Sequence, residues 1–111
     1  MCGLTGFLWD SDSKIGLASV QLKSMTEAIR HRGPDDSGVW VDDEAKVAIG
    51  HRRLSILDLS SAGHQPMVSK SKRYVIAFNG EIYNHNELRN QLAKLSSYSL
   101  DWSGHSDTET L

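Results

Sequence analysis

Apolar positions change their period several times along the chain, and each change predicts an element. Leu4 to Trp9 reads as a strand, ended by the turn-rich Asp10-Ser11-Asp12-Ser13. Ala18, Leu22, Met25 and Ile29 then recur at helical spacing, so residues from about 15 to 31 are expected to form an amphipathic helix, which Gly33-Pro34 stops. Gly38 to Val41 and Lys46 to Gly50 read as two strands of a hairpin joined by Asp42-Asp43-Glu44, with Val39, Val41, Val47 and Ile49 as packing residues.

A further apolar run, Leu54-Ser55-Ile56-Leu57, leads into the loop Ser60 to Pro66. Tyr74 to Phe78 is bounded by Asn79-Gly80, a pair most often found as a hairpin turn. Asn84 followed by Glu87 has the form of a capping box, and Leu88, Leu92 and Leu95 line one face of the helix it opens. Tyr98 to Trp102 is a short strand candidate. Ser106-Asp107-Thr108-Glu109 repeats the capping pattern two residues before the last residue, Leu111. Because an isolated helix needs roughly 12 to 15 residues to be even marginal, this signal predicts that the natural polypeptide continues.

Composition narrows the function classes without choosing among them. The 111 residues are 39% hydrophobic and 23% charged with a formal net charge of −2, as in ordinary globular chains, so no broad electrostatic attraction to nucleic acid or an anionic membrane is expected. The densest basic stretch, Lys70-Ser71-Lys72-Arg73, reads as an exposed turn before a strand. No stretch of 18 apolar residues and no signal-peptide pattern appears, and one cysteine excludes an internal disulfide, so the cytoplasm is the expected compartment. His31, His51, His64, His85 and His105 lack metal-ligand spacing, and no metal site is expected.

That one cysteine is Cys2, directly behind Met1 in the run Cys2-Gly3-Leu4-Thr5-Gly6. With Met1 removed, a single residue would carry a thiol nucleophile and a free α-amine able to act as its base, the amine ordinarily titrating at about 7.7 to 8.0 and the thiol at about 8.5. A retained Met1 would acylate that amine. The alternative is a small buried hydrophobe near a chain end.

Five segments in fixed order carry a resemblance: Met1 to Gly6, His31-Arg32-Gly33-Pro34-Asp35, His51-Arg52-Arg53-Leu54-Ser55-Ile56-Leu57-Asp58, Asn79-Gly80-Glu81-Ile82-Tyr83-Asn84, and Ser106-Asp107-Thr108-Glu109. Together they resemble the glutaminase domain of class II glutamine amidotransferases, and within that class most closely the glutamine-hydrolysing asparagine synthetases. The resemblance implies an α+β N-terminal-nucleophile hydrolase fold, a four-layer αββα sandwich of antiparallel sheets, of which residues 1–111 would be the N-terminal part. It implies that Cys2 attacks the side-chain amide of glutamine. Asn79, by its side chain, and Gly80, by its backbone N–H, match the oxyanion hole. Arg53 matches the carboxylate-binding position, where a planar guanidinium can make two parallel bonds. Glu81 and Asp107 match the acidic positions around the substrate amino group.

The same resemblance implies a C-terminal synthetase domain in the same polypeptide, absent here, that uses ATP and Mg²⁺ to activate aspartate for attack by ammonia. No cofactor is expected in residues 1–111, where no P-loop occurs, and a homodimer is left open. Two alternatives stand beside this reading. One is an amidotransferase for a polysaccharide-pathway sugar or other acceptor; the other is a non-catalytic dimerisation or regulatory module. The Arg32-Gly33-Pro34-Asp35 stretch reads as a structural turn near Cys2, and His51 and His64 as structural histidines.

Overall fold

A computed structural model describes residues 2–10, 17–56, 60–97 and 99–111. The strand β1 (Gly3–Leu8) pairs antiparallel with β3 (Val47–Arg53), which pairs antiparallel on its other edge with β2 (Asp36–Asp42), giving the order β1-β3-β2. The β2–β3 hairpin closes as its composition predicts: the Asp42 carboxylate accepts from the Glu44 and Ala45 N–H groups at 2.9 and 2.8 Å, and Lys46 turns the chain at φ 57°. A second antiparallel pair joins β4 (Met67–Val68) to β5 (Val75–Ile76), with the exposed basic stretch in the turn between them.

The helix α1 (Ala18–Ala28) lies on one face of the three-stranded sheet. It buries Ala18, Leu22 and Thr26, an i, i+4 ridge that includes one polar residue absent from the predicted stripe. The Thr26 hydroxyl is used within the helix, donating to the Leu22 carbonyl at 2.7 Å, so its burial leaves no unmet donor. Gly50 lets this ridge approach β3, since a Cβ there would collide with Thr26 Oγ1. A 3-10 turn at Arg30–Arg32 follows the helix. Two others lie at Ser61–Gly63 and Thr108–Thr110, and α2 spans His85–Leu95.

Several elements differ from expectation. The predicted strand at 74–78 is ordered as a strand only at Val75–Ile76, and Asn79-Gly80 leads through irregular backbone toward α2 rather than turning a hairpin. Asn84 stands at the N-cap of α2 without a side-chain cap bond. At the second capping pattern it is Asp107, not Ser106, that caps, accepting from the Thr108 N–H at 2.9 Å ahead of a 3-10 turn. Residues 99–102 carry no strand, while Ser11 to Ser13, Ile15, Leu57, Asp58 and Tyr98 of the predicted segments lie outside the described residues.

Candidate active site

Strand register brings the nucleophile candidate to its neighbours. Gly3 pairs with Arg52, so Cys2 falls beside the end of β3, 52 residues away from Leu54 in sequence. There the Leu54 N–H donates to Cys2 Sγ at 3.4 Å, and Sγ lies 3.8 Å from the Leu54 carbonyl. Arg32 Nη2 donates to the Cys2 carbonyl at 3.4 Å. The turn that carries Arg32 docks on β3: Arg52 Nε donates to the Gly33 carbonyl at 2.9 Å, Asp35 N to the Arg53 carbonyl at 3.1 Å, and Ser55 N to the Asp35 carboxylate at 2.7 Å. A Cβ at Gly33 would collide with the Arg52 backbone, which is why this turn needs glycine.

Alternation along β3 turns His51 and Arg53 away from the face that Gly50 and Arg52 present to α1. Arg53 is 8% exposed, and its Nη1 donates to the Ser60 carbonyl at 2.9 Å. Its guanidinium lies against Gly63, where a Cβ would overlap Nη2. The loop that carries Gly63 is tied back to β2 by His64 Nδ1, 2.7 Å from Asp36 Oδ2. Burial by itself would raise the Asp36 carboxyl, but the His64 hydrogen bond, the Ser37 N–H and the charges of His64 and Arg53 outweigh it and hold the carboxyl below its ordinary 3.8.

His51 is fully buried, with Nε2 3.3 Å from the Phe78 carbonyl. A carbonyl only accepts, so Nε2 carries the proton. Burial pushes the ring below its ordinary 6.5, so His51 is neutral near neutral pH. The residue it holds directly precedes Asn79 and Gly80, both exposed on the cavity wall. Asp107 is 8% exposed, and its carboxylate accepts from the Ile82 N–H, two residues past Gly80, at 2.7 Å and from the Thr108 N–H at 2.9 Å. Glu81 is exposed beside it.

Arg89, in the middle of α2, organises the segment on which Asp107 sits. It donates to Thr110 Oγ1 at 2.9 Å, the Gly104 carbonyl at 2.9 Å and the Ser106 carbonyl at 2.7 Å, and its guanidinium lies 4.3 Å from the Trp102 ring centre. Glu109 closes the same loop, accepting from the Ser103 N–H at 2.6 Å and the Gly104 N–H at 3.1 Å.

A cavity of about 290 Å³ joins these walls, and Cys2, Arg53, Asn79, Gly80, Glu81 and Asp107 all line it. Its size is at the low end for small-molecule sites, roughly 300 to 1,000 Å³, and suits a single amino acid. A thiol, one guanidinium, two carboxylates and an amide donor around one space complement a zwitterion whose far end is an electrophilic carbonyl. Among the described residues no group of three or more His, Cys, Asp or Glu could hold a metal ion. Gly63, Gln65 and Thr108 also line the cavity, and neither periodicity nor motif spacing singled them out.

Residues 1–111 match the glutamine amidotransferase domain family along their whole length. The chain is 42% identical over 117 residues to glutamine-hydrolyzing asparagine synthetase 1 of Bacillus subtilis, covering all of this chain and 17% of the relative. It is 43% identical over 91 residues to glutamine-hydrolyzing asparagine synthetase B of Escherichia coli, covering 80% of this chain and 15% of the relative. With glutamine-hydrolyzing asparagine synthetase 1 of Arabidopsis thaliana the identity is 40% over 92 residues, 83% of this chain and 15% of the relative. The chain thus spans a small part of the curated relatives it matches. With a thiol and an amino-acid-sized cavity at the end of β3, and a family match over every residue, the chain belongs to the glutamine amidotransferase domain family.

Proposed function

We propose that this chain is the N-terminal part of a glutaminase domain that hydrolyses glutamine through a Cys2 thioester. Removal of Met1 frees the Cys2 amine, which takes the thiol proton as Sγ attacks the side-chain amide carbon of glutamine. The negative oxygen of the tetrahedral intermediate is met by the Asn79 side-chain amide and the Gly80 N–H. Collapse of the intermediate breaks the C–N bond, the ammonium-bound proton passes to the departing nitrogen, and ammonia leaves. Water then adds to the thioester carbonyl, releasing glutamate and restoring the thiol. Arg53 pairs with the substrate carboxylate, while Asp107 and Glu81 receive its ammonium group.

Support comes from one observation above all: residues 2, 53, 79–81 and 107, dispersed along the chain, line a single cavity. The wider reading follows the relatives. The remainder of the domain completes the four-layer N-terminal-nucleophile fold, and a C-terminal synthetase domain of the same polypeptide receives the ammonia. There aspartate, activated with ATP and Mg²⁺, becomes asparagine in the cytoplasm; no residue of this chain is assigned to ATP or the metal. The test is Cys2→Ala in the complete polypeptide. Glutamine hydrolysis should vanish while synthesis from added ammonium persists, and retained hydrolysis would refute the mechanism.

A further inference from the structure

Gln65 spends both ends of its side chain joining the residue before Asn79 to the residue after Asp107. The residue is 6% exposed; Oε1 accepts from the Phe78 N–H at 2.7 Å and Nε2 donates to the Thr108 hydroxyl at 3.1 Å. Because an N–H can only be met by the carbonyl oxygen, the orientation of the amide is fixed by its partners. Phe78 is the residue before Asn79 and Gly80, and Thr108 is the residue after Asp107, to whose carboxylate its own N–H donates at 2.9 Å. The brace is itself anchored, since the Gln65 carbonyl lies so close to Gly38 of β2 that a Cβ there would collide with it.

We propose that Gln65 is a positioning residue that, together with the Ile82 N–H bond to Asp107, fixes the separation between the oxyanion donors at 79–80 and the ammonium-binding carboxylate of Asp107. The inference rests on the glutaminase reading and adds a specificity determinant to it. A substrate whose ammonium is held at Asp107 must present its amide carbon to Sγ while its oxygen meets Asn79 and Gly80. Fixing that span selects side-chain length: glutamine reaches, and asparagine falls one carbon–carbon bond short. Misplacement by about 1 Å can cost on the order of 100-fold in rate, so a rigid brace has a large lever.

The experiment is steady-state kinetics of the complete polypeptide with glutamine and with asparagine, comparing Gln65→Met, Gln65→Glu, Thr108→Val and the Gln65→Met/Thr108→Val pair. Gln65→Met cuts both arms and should lower kcat and raise KM for glutamine, each by about 10- to 100-fold, and reduce the preference for glutamine over asparagine. Thr108→Val cuts one arm and should raise mainly KM. The double variant should be no worse than Gln65→Met, because both substitutions remove the same bond. Gln65→Glu keeps an acceptor for the Phe78 N–H and can accept from the Thr108 hydroxyl, so its kcat loss should be clearly smaller than that of Gln65→Met; this variant carries the comparison where Gln65→Met does not fold. Alkylation of Cys2 by iodoacetamide should proceed at the wild-type rate throughout, since Sγ is held by Leu54 rather than Gln65.

Kinetic constants within twofold of wild type in Gln65→Met, multiplicative effects in the double variant, a kcat loss in Gln65→Glu equal to that in Gln65→Met, or slowed alkylation in every Gln65 variant would each overturn the proposal. Failure of the glutaminase reading is distinct: Cys2→Ala would then hydrolyse glutamine as fast as wild type, whatever position 65 holds.

Discussion

A methyl group at position 63 would occupy space that the Arg53 guanidinium fills. Gly63→Ala should therefore displace the cation proposed to pair with the substrate carboxylate, and charge-assisted bonds are worth roughly 1.5 to 3 kcal/mol each. The expected outcome is a KM for glutamine raised about tenfold or more, read by initial-rate kinetics, with an unchanged thermal transition setting the effect apart from unfolding. His51 makes a different prediction, about pH. Its folded value lies below the ordinary 6.5, so between those two values the unfolded chain binds more protons than the native one. Stability contributed by neutral His51 is present above pH 6.5 and is lost as pH falls below it. His51→Gln, which cannot titrate, should flatten that decline in denaturant unfolding measured from pH 7.5 downward. A slope identical to wild type would count against the assignment. The lowered carboxyl of Asp36 acts in a separate window, its contribution being lost as pH falls below 3.8.

Among the elements, α2 and the segment that follows it show how position governs what a sequence reveals. The β2–β3 hairpin and the buried pair Ala18 and Leu22 were readable because periodicity and turn chemistry are local. Cys2, Arg53, Asn79, Gly80, Glu81 and Asp107 were readable as a set only through their motifs, because the register that pairs Gly3 with Arg52 is not written in either strand alone. Asn79-Gly80 departs from the usual hairpin preference of such a pair because that preference is local, whereas here His51 and Gln65 hold Phe78 from distant elements. Arg89 was invisible for the same reason: an arginine inside an amphipathic helix reads as solvated surface, yet its side chain is 12% exposed. Arg89→Ala should cost about 2 to 4 kcal/mol, since it leaves the Gly104 and Ser106 carbonyls without their donor, and should raise KM through Asp107. Arg89→Lys should restore little of either, because one ammonium cannot reproduce a planar fork with four acceptors, the Glu109 carboxylate among them, and an aromatic partner. Chemical unfolding and glutamine kinetics of the two variants check both statements.

At the scale of the molecule, buried polarity outweighs buried oil among the described residues. The buried apolar side chains among the described residues are Ala18, Leu22 and Ala48, whereas Arg53, Gln65, Ser106, Asp107 and Thr108 are buried along the cavity. Leu8, Tyr83 and Leu95 stay at least three-quarters exposed, at 77%, 88% and 83%. No helix among the described residues is long and apolar enough to cross a membrane. So thin an apolar core predicts that residues 1–111 expressed alone unfold in a broad, low-temperature transition and turn over little glutamine. A cooperative transition in the range of about 45–65 °C usual for mesophile domains would contradict this.

In the proposed mechanism one residue supplies both sulfur and base to an amino-acid pocket. This is tested most directly by treating the complete polypeptide with a diazoketone analogue of glutamine and mapping the adduct by mass spectrometry. The account predicts one adduct, on the sulfur of Cys2, in a chain that has lost Met1, with labelling suppressed by excess glutamine. A chain that retains Met1, or labelling elsewhere with Cys2 untouched, would contradict it.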